Sequence, residues 1–403
     1  MSAEPQQAIR FLLLLGEGLH RFGAPSHRIE EALSAAAARL GLTARFFATP
    51  TSLYAAFGPP EEQRTSLIRV EPGAVDLEKL SALDALVEDV IAARLGVDAG
   101  WARAQELLAS APRYGPLEEV AAYGLASGSA ALLLGGGLAE GAAAGAVGTA
   151  LGTLSRATAP LPAVARVYEL LAAFVAAAAA ALIAHHFPVS AGMATLAGLI
   201  VLVPGLTLTV ALNEIAMRHL SSGTARLTGA AVVFLEIIFG VAVAQQLTSG
   251  LEPLLHEPAH PLPAWARPFA LLLTVPALMV LFRAPARALG WILAACFLAL
   301  LGARLGARWL SPELGACMGA FFLGLGSNAY ERWLRRPSSV PLVPGMVILV
   351  PGSLGFRSLS ALLQRETLAG IETAFAMTMV AISIVAGLLL AGAVLPPRRG
   401  APP

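Results

Sequence analysis

The tripeptide Val-Pro-Gly occurs twice in strongly apolar sequence, at Val203-Pro204-Gly205 and at Val350-Pro351-Gly352. Proline has no backbone N–H to give a helix and glycine weakens one, so each copy breaks a helix that its neighbours would otherwise continue. A single offset of 147 residues lays one copy on the other, and the same shift carries Gly198 onto Gly345, Gly223 onto Gly370 and Gly240 onto Gly387. A helix break repeated inside lipid-length apolar segments is a signature of transporters built from internal repeats.

Composition agrees with a membrane chain. Of 403 residues, 57% are hydrophobic and 13% charged, whereas soluble domains carry about 25% charged residues. The charge is uneven: residues 1–117 hold 14 of the 26 acids, and no aspartate follows Asp98. That shift marks a boundary near Pro112–Pro116 between a soluble domain, 1–117, and a membrane domain. No basic cluster with interleaved aromatics points to nucleic acid. Cys296 and Cys317 both lie in apolar runs, which argues against a disulfide or metal framework, and no cofactor motif stands out. The run Phe11–Leu15 is too short for a signal peptide, and no small-residue cleavage site follows it.

Spanning helices need about 20 predominantly apolar residues. Such segments lie near 118–137, 139–156, 166–187, 192–212, 226–247, 267–283, 287–305, 313–330, 340–360 and 371–395. Adding 147 to the first five gives nearly the last five. The expected fold is therefore a polytopic all-α membrane domain of about ten transmembrane helices, in two five-helix repeats, preceded by a small soluble α+β domain. The first repeat covers 118–250, an extracytoplasmic loop 251–266, and the second repeat 267–397.

An odd number of spans per repeat turns the second copy over, so the repeats should be inverted. With both termini cytoplasmic, eleven arginines fall in inside connections and the tail, among them Arg218, Arg226 and Arg283, against five outside, including Arg357 and Arg365. Gly141, Gly145, Gly148 and Gly152 offer small faces for close helix packing, or for a homo-oligomer interface.

The N-terminal domain reads as αα-βββ-αα. Helices at 6–22 and 27–40, the second capped by Ser26, precede β-rich runs at 43–48, 52–58 and 65–71 and helices at 76–94 and 99–109. His20 and His27 flank a helix break at Gly23-Ala24-Pro25, and Thr49, Thr51 and Ser52 sit between strands. A hydrolase site would draw on these residues, but no nucleophile motif or metal-spaced cluster accompanies them. A regulatory or gating role fits the domain better.

Several motifs, taken together, resemble the threonine/serine exporter family of secondary transporters. They are Gly23-Ala24-Pro25-Ser26 with Arg28-Ile29-Glu30, Leu40-Gly41-Leu42, Thr49-Pro50-Thr51-Ser52-Leu53, the first Val-Pro-Gly with Asn213-Glu214 and Ser222-Gly223-Thr224-Ala225-Arg226, and the second Val-Pro-Gly. The resemblance covers nearly the whole chain. It implies export of threonine and serine across the inner membrane, driven by the proton motive force, with no cofactor. The competing readings are a membrane-embedded hydrolase, and a channel or transporter for other small organic acids.

Candidate substrate-binding residues follow from the breaks. An amino-acid zwitterion offers a carboxylate, which suits the amide ends of half-helices, and an ammonium, which suits freed carbonyls. Pro204, Gly205, Pro351 and Gly352 form the breaks; Thr207, Thr209 and Ser353 follow them, and Asn213 lies further along the pathway. For proton coupling the sharpest residue is Glu236, inside Val232-Val233-Phe234-Leu235-Glu236-Ile237-Ile238-Phe239. Carboxylates at membrane depth are expensive and face a cavity or a partner. Glu214 is the second candidate, although its i,i+4 spacing to Arg218 suggests a surface ion pair.

Overall fold

The computed structural model describes residues 5–71, 73–251, 261–263, 265–309 and 311–397. Glu252, His256, Glu257 and His260 of the connecting loop, and Arg398 and Arg399 of the tail, lie outside the described residues.

The chain opens with helices α1 (Pro5–Arg21) and α2 (Ser26–Arg39). Helix α1 buries Phe11, Leu12, Leu15 and Leu19 along one stripe, and α2 buries Ile29 and Leu33 against them. Gly23, at φ +92°, makes the turn between the helices in a backbone region that other residues avoid. Strands β1 (Ala44–Thr49), β2 (Ser52–Phe57) and β3 (Arg64–Arg69) form an antiparallel sheet in that order. The Thr49–Ser52 pair closes a tight turn at Pro50-Thr51. Helices α3 (Leu77–Ile91) and α4 (Val97–Ala109) complete the αα-βββ-αα unit expected from the sequence.

Ser26 does not cap α2, although its residue type and position suggest that it would. Pro25 is the residue at the N-cap of α2, and Ser26 is the first helical residue. Its N–H is one of the donors that a helix start leaves unbonded, and it is used elsewhere in the molecule.

The remaining helices are α5 (Pro116–Leu133), α6 (Leu138–Thr158), a short α7 (Pro162–Ala165), α8 (Tyr168–His186), α9 (Ala191–Gly198), α10 (Gly205–Ala216) and α11 (Leu220–Leu247). After the connecting segment come α12 (Leu271–Leu281), α13 (Leu289–Trp309), α14 (Pro312–Leu334), α15 (Ser339–Leu349), α16 (Gly352–Leu363) and α17 (Thr367–Val394). Five helical stretches are long and apolar enough to cross a membrane: Tyr168–His186, Leu220–Leu247, Ala286–Trp309, Ser339–Leu362 and Thr367–Val394. The chain is an all-α membrane protein carrying a small three-stranded domain.

The 147-residue shift runs through the structure in detail. It carries the ends of α10 onto those of α16 and the ends of α11 onto those of α17, residue for residue. Arg218 and Arg365 are matched positions in the turns that follow, and both are non-glycine residues in the left-handed region, at φ 67° and 65°. The matched glycines meet matched neighbours. A Cβ on Gly240 would meet Leu170 O, Ala173 and Phe174, and one on Gly387 would meet Cys317 O, Ala320 and Phe321. Each of those neighbours is 147 residues beyond its counterpart.

Small residues set the helix spacing, as expected. A Cβ on Gly148 would lie 2.6 Å from Tyr123 O, and one on Gly152 would lie 3.0 Å from Val120 Cα. The small face of α6 is thus filled by α5 of the same chain, which removes that part of it from any contact between copies. The N-terminal domain does not stand apart. Its core residues, such as Phe11 and Leu83, belong to one continuous apolar cluster with Leu271, Ile292 and Tyr330 of α12, α13 and α14.

Candidate functional site

The two breaks meet. Helix α9 ends at Gly198, a short turn leads to Pro204, and α10 starts at Gly205; α15 ends at Leu349, and α16 starts at Gly352. Pro204 and Pro351 take up the N-cap positions with similar backbone angles, φ −78° and −80°. A Cβ on Gly205 would overlap the Val350 side chain and lie 3.2 Å from Gly352 Cα. A Cβ on Gly352 would lie 2.7 Å from Val203 Cγ1. The amide ends of two twelve-residue helices, each carrying a partial positive charge, therefore face each other across a glycine contact between the halves.

The other candidates near the breaks are dispersed. Thr209 is buried and its hydroxyl donates back to Gly205 O at 3.1 Å, whereas Thr207 is exposed. Asn213 directs its amide at Met217 Sδ, 3.6 Å away, and Ser353 is half-buried at the start of α16. Glu236 is half-buried midway along α11 and, among the described residues, has neither a hydrogen bond nor an ion pair. On the helix it lies opposite Phe234, Val241 and Gln245, the side of α11 that faces the other half.

Glu214 holds the N-terminal domain to the membrane domain. Its side chain is fully buried, and its partner is Arg226, with Nε 3.1 Å from Oε2. The pairing with Arg218 suggested by i,i+4 spacing does not form, because α10 ends at Ala216 and Arg218 lies past it in the turn. Oε2 also accepts from Ser222 Oγ at 2.8 Å, and Oε1 accepts from the backbone N–H of Ser26 at 3.1 Å. Ser26 Oγ and Ser222 Oγ are 2.6 Å apart. Since the Ser222 hydroxyl proton goes to Glu214, Ser26 is the donor between the two hydroxyls.

Around this anchor stand the motifs that carry the family resemblance. Glu30 accepts from Ala48 N at 2.8 Å and its other oxygen lies 3.7 Å from His219 Nδ1. His20 Nε2 is 2.8 Å from Pro50 O, and as a carbonyl only accepts, Nε2 carries the proton. Burial lowers the pKa of His20, and burial together with Arg28 lowers that of His27 to about 4. The His27 and His219 rings lie 5.9 Å apart. Glu30 and His27 thus face His219 of the α10–α11 turn across the junction of the two domains.

A second docking contact reaches the other half. The N–H groups of Leu77 and Glu78 donate to Phe282 O and Arg283 O at 3.0 and 3.2 Å, and Arg283 pairs with Glu119 at 3.1 Å. Asp76, 3.9 Å from Arg283, has its pKa raised by burial, partly offset by the Lys79 N–H that it accepts and by Arg283. The domain thus bridges the α10–α11 turn of one half and the α12–α13 turn of the other.

At the far end of α11, about 42 Å along a 28-residue helix, a cavity of about 440 Å³ opens between the halves. Ala177 and Ala181 of α8, Thr195 of α9, Gln245 of α11 and Thr248 at its end line one side, and the second half contributes Arg357, Ser360 and Glu366. The sequence counts Arg357 among the outside connections. It lies within α16, and the signal that would have found it is a basic residue five positions past the second break, where the first repeat has Val210.

Residues 10–248 match the family model described as "Putative threonine/serine exporter", and residues 265–394 match the one described as "Threonine/Serine exporter, ThrE". Similar curated proteins include Pheromone-regulated membrane protein 10 of Debaryomyces hansenii, 25% identical over 386 residues that cover 92% of this chain and 37% of that one. The protein of the same name from Saccharomyces cerevisiae is 24% identical over 389 residues, covering 92% of this chain and 49% of its own. The chain therefore spans less than half the length of these relatives. No solved structure matches it. With family matches over both halves, the chain belongs to the threonine/serine exporter family.

Proposed function

We propose that the protein is a secondary transporter that exports threonine and serine across the inner membrane in exchange for protons. Family membership supports the substrate class. The observation that carries the mechanism is the contact of Gly205 with Gly352, which brings the amide ends of α10 and α16 together between the halves. Two positive helix ends attract a carboxylate, and a glycine contact without side chains can serve as the pivot on which one half rocks against the other. Substrate passes beside this pivot, along Thr207, Thr209, Asn213 and Ser353, with Pro204 and Pro351 freeing the backbone groups it meets.

The reading takes the chain as ten spans in two inverted repeats with both termini cytoplasmic. In support, helix ends and glycine neighbours repeat under one shift, and arginines concentrate on the face where the N-terminal domain docks. Glu236 is the carboxylate proposed to exchange the coupled proton. Both oxygens of Glu214 are taken by Ser26, Ser222 and Arg226, which suits a gate that links the domain's position to the transport cycle.

Purified protein in liposomes, loaded with labelled threonine or serine and given an inward proton gradient, should release both amino acids, and Glu236→Gln should abolish the response to the gradient. Release of neither substrate by the wild-type protein would sink the exporter reading; uptake of other small organic acids instead would favour the alternative substrate class.

A further inference from the structure

Between the two breaks the backbone is packed too closely for a methyl group at Gly205, so an amino acid does not fit there in this conformation. The cavity at the far end of α11 adjoins the same elements and has room. It lies between α9, which precedes the first break, and α16, which follows the second. Its volume of about 440 Å³ is within the range of small-molecule sites.

We propose that this cavity holds the amino-acid zwitterion, Arg357 taking its carboxylate and Glu366 its ammonium. The assignment rests on the exporter reading above and names the residues that read the substrate's charged ends.

Arg357 lies on the amphipathic helix α16, within a stretch apolar enough to cross a membrane, and a guanidinium there is expensive unless it faces a cavity or a partner. Among the described residues Arg357 has no hydrogen-bond or ion-pair partner, and it lines the cavity. It also belongs to a polar stripe on α16, with Ser353 and Ser360 at helical spacing on the same face and Gln364 just past the helix end. A guanidinium matches a carboxylate with two parallel hydrogen bonds.

Glu366 supplies the opposite charge on the same wall, at the start of α17. The positions that match these two in the first half are Val210 and His219, so the pair belongs to one half only and gives the cavity a charge pattern without a counterpart.

Two threonine hydroxyls line the opposite side of the cavity. Thr195 Oγ1 donates to Ala191 O at 2.8 Å and Thr248 Oγ1 donates to Ala244 O at 2.9 Å. Their protons are used within their own helices, and what remains on both oxygens is acceptor capacity. That arrangement accepts the O–H of a hydroxylated side chain.

The test is a binding competition on the full chain in lipid nanodiscs, with labelled threonine displaced by threonine, by threoninamide, which lacks the carboxylate, and by N-acetylthreonine, which lacks the ammonium. The wild-type protein should prefer threonine over each analogue by about tenfold or more, the scale of a hydrogen bond to a charged group. Arg357→Gln should erase the preference over the amide and keep that over the N-acetyl compound; Glu366→Gln should do the reverse. General damage to the fold would weaken both preferences together, and that result, or both variants keeping both preferences, overturns the assignment. Threonine transport by liposomes in parallel separates the two claims. Transport with unaltered selectivity in the variants removes the site and leaves the exporter; charge-selective binding without transport removes the exporter and leaves the site.

Discussion

Gly205 and Gly352, which occupy matched positions 147 residues apart, pack backbone against backbone at the starts of α10 and α16. The contact is not symmetric in its tolerance. A methyl at Gly205 runs into Val350 and the Gly352 backbone, whereas a methyl at Gly352 meets Val203 Cγ1, the end of a side chain.

Gly205→Ala should therefore destabilise the protein more than Gly352→Ala, by about 1–3 kcal/mol for an overpacked site. Gly229→Ala and Gly392→Ala are the controls. Both glycines are helical with open space at the Cβ position, and replacing them should be neutral or stabilising by up to about 1 kcal/mol. Thermal unfolding of the purified variants in one detergent gives the order. Equal effects at Gly205 and Gly229 would mean that the breaks are not in contact.

The anchor at Glu214 predicts a graded series. Ser26→Ala removes the hydroxyl link to Ser222 but keeps the N–H to Glu214, and should loosen the domain by about 1 kcal/mol. Ser26→Pro removes the N–H as well. Proline is well tolerated at the first helical position, and Pro25 before it already has an extended ψ of 151°, so α2 itself should persist. Glu214→Gln should have the largest effect, roughly 3 kcal/mol, because it leaves Arg226 without its partner in a buried site. Amide exchange across residues 22–30 reads all three. Protection unchanged in Glu214→Gln would show that the domain is held by its other contacts.

The repeat was legible because glycine and proline act locally. A Val-Pro-Gly breaks a helix wherever it stands, and Gly240 and Gly387 are needed because a neighbouring helix touches them. The domain anchor was not legible, because it depends on which turns come together. Ser26 has the residue type of a cap and Glu214 has a basic residue four positions on. Yet α10 stops at Ala216, and the chain turns through Arg218 so that Arg226 returns to Glu214 from α11. Arg357 escaped for a different reason: an apolar window ending near 360 places it at a span's edge, and only the helix start at Gly352 shows that it lies inside.

Acid should loosen the docked domain. Burial, then Arg28, pull the pKa of His27 down to about 4, with Glu214 acting the other way and His219 and Arg226 adding to the lowering. The docked form therefore binds the His27 proton less readily than an exposed histidine near 6.5. The stability that neutral His27 supports is present in full above about pH 6.5 and is lost as pH falls from there towards about 4. Amide protection of 22–30, corrected for intrinsic exchange, should fall between pH 7 and pH 5. His27→Gln should make that fall shallower, with the remainder due to His20, whose pKa burial also lowers. An equally steep fall in the variant would remove His27 from the account.

Orientation can be tested on one matched pair. Arg218 and Arg365 occupy equivalent turns, after α10 and after α16, and share a left-handed backbone. If the second repeat is inverted in the membrane, the two turns lie on opposite faces; if the repeats are parallel, they lie on the same face. Replacing Cys296 and Cys317 by alanine and placing one cysteine at Arg218 or at Arg365 gives two single-cysteine proteins. Non-glycine side chains already adopt both turns, so the substitution introduces no new backbone demand. In intact cells a membrane-impermeant maleimide should label the cysteine at 365 directly, and the one at 218 only after the membrane is opened. The N-terminal domain sits over the 218 side through Ser26 and Glu214, so a tag at the N-terminus should share the protection of position 218. Labelling of both cysteines from the same side would refute the inverted arrangement, and with it the ten-span reading.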